Sequence, residues 1–129
     1  MFKKYINYID LGVHNGQEID LFLEQFQGEE NYQVNIFGVE ANKLLFNNLS
    51  NKYQSMENIK IFHCAISDKN EPLNLYLGKS DLGSSVFPTK TNLTDINEIV
   101  RGITFHDFIE LNIPSFKNKD SYNILKLNI

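Results

Sequence analysis

The chain has 129 residues, the size of a single domain, read here as one unit over 1–129. Hydrophobic residues make up 42% and charged residues 22%, which suits a packed core and excludes a disordered chain. A net charge of −4 and a pI of about 5.3 give no basic footprint for nucleic acid, and the single cysteine, Cys64, excludes an intrachain disulfide.

The start, Met1-Phe2-Lys3-Lys4, carries two lysines but no apolar stretch follows them as in a secretory signal. No run of about 18 apolar residues occurs anywhere, so no membrane span is expected and the cytoplasm is the expected compartment. Tyr5 to Leu11 is β-branched and aromatic, ends in Gly12, and predicts a strand. Gln17 to Phe26 places Ile19, Phe22, Leu23 and Phe26 at helical spacing. A loop around Gly28 leads to a second strand, Gln33 to Val39, and a second helix, Lys43 to Tyr53, with Asn42 as N-cap. Ile59 to Ala65 predicts a third strand.

The pattern then changes. Leu73 to Leu77 alternates and predicts an antiparallel or edge strand, with Pro72 just before it. Gly78 to Thr94 is rich in Ser, Thr and Gly and predicts a loop. Thr104 to Leu111 predicts a short helix capped by Thr104, and Tyr122 to Ile129 a last strand. Strands alternating with helices predict an α/β fold with a mostly parallel sheet, its first three strands forming a mononucleotide-type half.

Three segments carry candidate chemistry. In Asp10-Leu11-Gly12-Val13-His14-Asn15-Gly16 a strand runs into a glycine turn and then a helix. Gly12 allows a tight turn close to a ligand, Gly16 lets the helix begin near the strand end, and the helix N-terminus offers N–H groups to an anion. The alternative is a plain glycine-bearing turn. Glu40 ends the second strand roughly two dozen residues after Gly16, where a carboxylate can accept from both ribose hydroxyls. The alternative is a solvated strand-end acid or a partner of the next helix dipole. Ile66 and Asp68 follow the third strand, where Asp68 can bond an adenine amino group and Ile66 pack on the ring. Ser67-Asp68-Lys69-Asn70 is also good turn chemistry, and for this segment alone the turn is the stronger reading.

His14 lies in the glycine turn, and histidine is the usual proton-transfer residue, which makes it the one candidate base near the expected crevice; an exposed turn residue is the simpler reading. His63 and Cys64 read as structural. No HxH, HExxH or CxxC pattern occurs, so no metal is expected.

Taken together, Ile9-Asp10-Leu11-Gly12 to Gly16, Val39-Glu40-Ala41-Asn42, Ala65-Ile66-Ser67-Asp68, Gly83-Ser84-Ser85, Thr104-Phe105-His106-Asp107-Phe108 and Ile124-Leu125-Lys126-Leu127-Asn128-Ile129 form an ordered set. In that order and spacing the chain resembles the FkbM-type S-adenosylmethionine-dependent methyltransferases over nearly its whole length. The resemblance implies a Rossmann-like class I methyltransferase fold with S-adenosylmethionine at the C-terminal strand ends. The Asp10–Gly16 segment, with Gly12 and Asn15, would hold the methionine part, Glu40 the ribose, and Ile66 and Asp68 the adenine. The implied reaction is O-methylation of a hydroxyl on a sugar or other small metabolite, with a small-molecule or glycan acceptor as partner.

The sequence departs from the family pattern in four places. His14 has no counterpart in the usual Asp-x-Gly-Ala-Asn-x-Gly, Ala41 stands where a Pro often follows Val-Glu, Asn128 replaces an Asp, and the sequence stops at Ile129 before a Glu-Gly. The fold is therefore expected to be C-terminally incomplete. The rival reading is a truncated, inactive remnant, or an interaction module, that self-associates through an exposed sheet edge. A nicotinamide-binding dehydrogenase is the third reading; Asp10 at the end of the first strand and the missing Gly-x-Gly-x-x-Gly count against it.

Overall fold

The computed structural model describes residues 4–78 and 93–127. Its centre is a four-stranded, wholly parallel sheet in the order β3-β2-β1-β8, formed by β1 (Lys4–Leu11), β2 (Tyr32–Glu40), β3 (Ile59–His63) and β8 (Ser121–Leu127). β1 is buried from Ile6 to Asp10, on both faces, as a strand with neighbours on either side and helices above and below must be. Parallel neighbours require crossovers. These are α1 (Gln17–Gln25) between β1 and β2, and α2 (Lys43–Lys52) between β2 and β3.

The period of two along the strands divides the core into two layers. Tyr8 and Ile36, in register on β1 and β2, pack with Ile19 of α1 and Leu49 and Tyr53 at the end of α2. Ile9 and Phe37, one step along, pack with Phe108 and Ile109 of α3 (Phe105–Asn112) on the opposite face. A 3-10 turn, Pro114–Lys117, follows α3 and leads into β8. The result is an α/β architecture with a mostly parallel central sheet and flanking helices, compatible with a Rossmann-like fold.

Gly38 shows how tightly β2 is covered. A Cβ there would lie 2.7 Å from Val13 Cγ2 and 2.8 Å from Ile61 Cδ1. Gly38→Ala is therefore expected to destabilise the chain by about 1–3 kcal/mol, the ordinary range for overpacking, as read by urea denaturation. A variant as stable as the parent would show that Val13 can move aside.

Helix starts follow their capping residues. The Asn42 side chain accepts from Leu45 N at 3.1 Å, and the Thr104 side chain from Asp107 N at 3.2 Å. Gly16 occupies the N-cap of α1 in left-handed conformation, with no side-chain cap.

Two expectations need correction. The predicted strand Ile59–Ala65 is two strands, broken at Cys64: Ala65–Ile66 (β4) leaves the main sheet and pairs in parallel with Gly102–Ile103 (β7). Ala65 N donates to the Arg101 carbonyl and Ser67 N to the Ile103 carbonyl, so the chain gains a new backbone partner where β2 ends. The predicted loop Gly78–Thr94 overlaps strands at both ends, since Gly78 closes one strand and another, β6 (Leu93–Val100), begins at Leu93; residues 79–92 lie outside the described residues. β6 pairs antiparallel with β5 (Leu73–Gly78), which agrees with the antiparallel or edge strand expected at Leu73–Leu77. Gly83-Ser84-Ser85, Asn128 and Ile129 lie outside the described residues.

β8 is exposed along the sheet edge. Among the described residues it pairs with β1 alone, and Tyr122, Ile124, Leu125 and Leu127 all show substantial surface. No helix among the described residues is long and apolar enough to cross a membrane.

Candidate functional site

The two crossover helices α1 and α2 lie on one face of the sheet and α3 on the other. The chain thus changes faces between β1 and β8, and this is the topological switch point of the sheet. In open α/β sheets the crevice outside the carboxyl ends of the strands at such a point is where ligands bind. Asp10 stands there, near the end of β1, directly in register with Lys126 near the end of β8.

Asp10 is wholly buried, and neither carboxylate oxygen has a hydrogen-bond partner. The Lys126 ammonium lies 3.7 Å from Oδ1, an ion-pair contact too long for a hydrogen bond. Burial pushes the Asp10 carboxyl up to about 6; Lys126 draws it down, while Glu18 at the start of α1 and Glu40 add to the rise. A buried carboxylate without hydrogen bonds is costly, and such groups are commoner at functional sites than elsewhere.

The glycine turn between β1 and α1 is built from three left-handed residues, Gly12 (φ 107°), His14 (φ 59°) and Gly16 (φ 85°). Glu40 holds it. Its Oε1 accepts from His14 N at 2.8 Å, and its Oε2 accepts from Asn42 N at 2.9 Å. Glu40 thus fixes both the turn after β1 and the start of α2, a role that its position at a strand end does not announce. A carboxylate has about four lone-pair positions, so each oxygen keeps one for a ligand hydroxyl.

The end of α2 straps the same turn from outside. The Tyr53 hydroxyl lies 2.7 Å from Asp20 Oδ1 and 3.0 Å from the Gly16 carbonyl, and donates to this pair. Lys52 donates to Asp20 Oδ2 at 2.6 Å and to the Asn15 carbonyl at 3.2 Å. Burial and the Asp20 carboxylate together push the Tyr53 phenol well above its ordinary range, so it stays a donor at every working pH. A Cβ on Gly16 would run into the Tyr53 hydroxyl, on a backbone that side chains already disfavour. Gly16→Ala is accordingly expected to lower stability by about 1–3 kcal/mol, seen as a lower thermal midpoint. An unchanged midpoint would mean the turn is not held in this form.

The other predicted residues fall into place as follows. Asn15 is exposed, and its side chain accepts from Gln17 N at 3.0 Å, so it serves the start of α1. The His14 ring has a buried Nε2 without a partner. Asp68 is exposed and accepts from the Ser67 hydroxyl at 3.2 Å. Ile66 packs half-buried against the Phe108 layer. Asp10, Gly12, His14, Gly16 and Glu40 come together around one turn; Ile66 and Asp68 belong to the segment beyond β3 and share no direct bond with them.

His63 and Asp107 have local duties. The His63 ring stacks on Phe46, with Nε2 3.0 Å from the Ala41 carbonyl, and Asp107 bonds Asn70 beside the start of α3. Among the described residues no three His, Cys, Asp or Glu side chains converge as a metal site. Lys126 is the residue that motif reading passed over. It stands within the quoted strand motif, and only the register of β8 against β1 brings it beside Asp10.

Comparison with protein-family models, with curated proteins and with solved structures finds no match to this chain.

Proposed function

We propose that this chain binds S-adenosylmethionine and belongs to a methyltransferase of the FkbM type, acting on a hydroxyl of a sugar or other small metabolite. The observation that carries the reading is the buried Asp10 at the switch point, ion-paired to Lys126 but without a hydrogen bond, beside a glycine turn and the strand-end acid Glu40. The residues present fit the cofactor. Asp10 suits a cationic group, and the Asp10–Gly16 turn lets a ligand approach the backbone. Glu40 has acceptor capacity left for ribose hydroxyls, and Ile66 with Asp68 offers an apolar face and an acceptor for adenine.

When bound, S-adenosylmethionine supplies an activated methyl group on a sulfonium. The chain's own part is position and charge. Glu40 and Tyr53 hold the turn rigid, so the ligand's place is set before it arrives, and such orientation is a large share of catalysis in two-substrate reactions. Asp10 provides a fixed negative charge where water is excluded. A hydroxyl acceptor also needs a proton acceptor, and His14 is the proposed base, with its buried Nε2 as the proton-accepting atom.

The test is direct. His14→Ala is expected to keep S-adenosylmethionine affinity within about threefold while lowering methyl transfer to a hydroxyl acceptor by about a hundredfold or more. Equal losses in both would assign His14 to the turn alone.

The exposed apolar edge of β8 favours a second reading, an interaction module that self-associates through this strand. Sedimentation separates the two: a monomer that binds S-adenosylmethionine supports the first, and a dimer indifferent to it supports the second.

A further inference from the structure

A cavity of about 730 Å³ lies between α3, the junction of β6 with β7, and residues 70–72, which lead into β5. Cavities that take small ligands span roughly 300–1,000 Å³. The walls are tied to one another. The Asn70 side chain accepts from Thr104 N at 2.8 Å and donates to Asp107, which holds residues 70–72 to the start of α3. Gly102 N donates to the Glu71 carbonyl at 3.1 Å, and a Cβ on Gly102 would run into that carbonyl, so this wall lies directly on β7.

The lining is apolar where the core has no use for it. On β6, Val100 packs into the small core with Ala65 and Leu75, so its neighbour Ile99 points to the other face and lines the cavity. On α3, Phe108 and Ile109 fill the main core, while Asp107, Glu110 and Leu111, three and four residues apart, line the cavity along one helix face. Ile99 is 72% exposed and Leu111 68%, more than any other large hydrophobic side chain among the described residues. Grouped apolar exposure of this kind marks a binding surface.

The charge around the cavity sets the sign of its ligand. Three carboxylates, Glu71, Asp107 and Glu110, face one guanidinium, Arg101. Lys117 engages Glu110 at 2.8 Å, whereas Glu71 and Asp107 have no ion pair among the described residues. We propose that this cavity binds an amphiphilic amine, its aromatic or aliphatic body seated on Ile99 and Leu111 and its ammonium turned toward Glu71 and Asp107. An anion of the same shape meets more carboxylates than guanidinium and is rejected. No lining residue belongs to the glycine turn, so the cavity takes its ligand whether or not the chain binds S-adenosylmethionine.

The chain has no tryptophan, so an indole ligand can be followed by its own fluorescence. Tryptamine and indole-3-propionate share that ring and differ in the sign of their charge. Titration of the full chain into each, read by anisotropy, is expected to give saturable tryptamine binding at least about tenfold tighter than that of indole-3-propionate. Ile99→Ser combined with Leu111→Ser is expected to weaken tryptamine about tenfold, and Glu71→Lys to cut the preference for tryptamine about tenfold. All three side chains are exposed, and circular dichroism checks the fold of each variant. Binding of neither indole, equal affinity for the two, or tryptamine affinity unmoved by both variants overturns the assignment.

Discussion

The Asp10→Asn chain is expected to be more stable than the parent at pH 7 and to bind S-adenosylmethionine at least about tenfold more weakly. The stability gain follows from linkage. The Asp10 carboxyl titrates near 6 in the folded chain against an ordinary value of 3.8. Between these values the folded chain holds the extra proton, so stability falls as pH rises from about 4 to about 6 and is level above that. The full penalty at neutral pH is roughly 3 kcal/mol. The amide removes the charge but keeps polar atoms without partners, which costs about 1–2 kcal/mol, so a net gain of about 1–2 kcal/mol remains. Denaturation curves at pH 4 and pH 7 read both effects: the variant should be the more stable at pH 7 and the less stable, by about 1 kcal/mol, at pH 4. A variant less stable than the parent at pH 7 would mean that Asp10 has partners in solution and is a structural residue. The binding loss has the opposite meaning for the molecule. A carboxylate that weakens the fold and strengthens a complex belongs to the ligand.

Glu40→Gln is the second large effect, with stability and binding expected to fall together. Both Glu40 oxygens accept backbone N–H groups, from His14 and from Asn42. The amide keeps one acceptor and turns an NH2 toward the other N–H, which loses one charge-assisted bond and sets donor against donor. A loss of about 1.5–3 kcal/mol is expected in urea denaturation. The glycine turn also loses its anchor, so S-adenosylmethionine affinity falls by more than one ribose bond would account for. The comparison with Asp10→Asn is informative, because that substitution weakens binding while raising stability. Were Glu40→Gln to leave stability untouched, the two backbone bonds would not form in solution, and Glu40 would be free to act on the ligand alone.

The repeating part of the fold was legible from local pattern. β-branched strands, helices with apolar residues three and four apart, and the caps Asn42 and Thr104 all agree with one another, and local agreement of this kind marks a foldable sequence. β6 escaped because Asp95, Asn97 and Glu98 are poor strand formers; pairing with β5 overrides that preference. The break at Cys64 escaped because Ile59 to Ala65 is evenly apolar and β-branched, and the reason to stop lies in a partner strand nearly forty residues away in sequence, at Gly102–Ile103.

The candidate site shows the same division. The glycine turn and Glu40 were readable as types of residue at a spacing. That Glu40 grips His14 N and Asn42 N depends on the fold, as does the strap from Tyr53 and Lys52 to the start of α1. Asp10 was readable as a strand-end acid, but its missing hydrogen bonds are visible only once burial is known. Its neighbour Lys126 lies at the other end of the chain. No periodicity links the two, and the register of β8 on β1 does.

The measurement closest to the central claim is a calorimetric titration of S-adenosylmethionine into the purified 129-residue chain at neutral pH, run beside the Asp10→Asn variant. Saturable one-to-one binding by the wild type, weakened at least about tenfold in the variant, is the predicted result. Absence of binding by a chain shown to be folded, or equal affinity in the two, would contradict the assignment of Asp10 and the glycine turn to the cofactor.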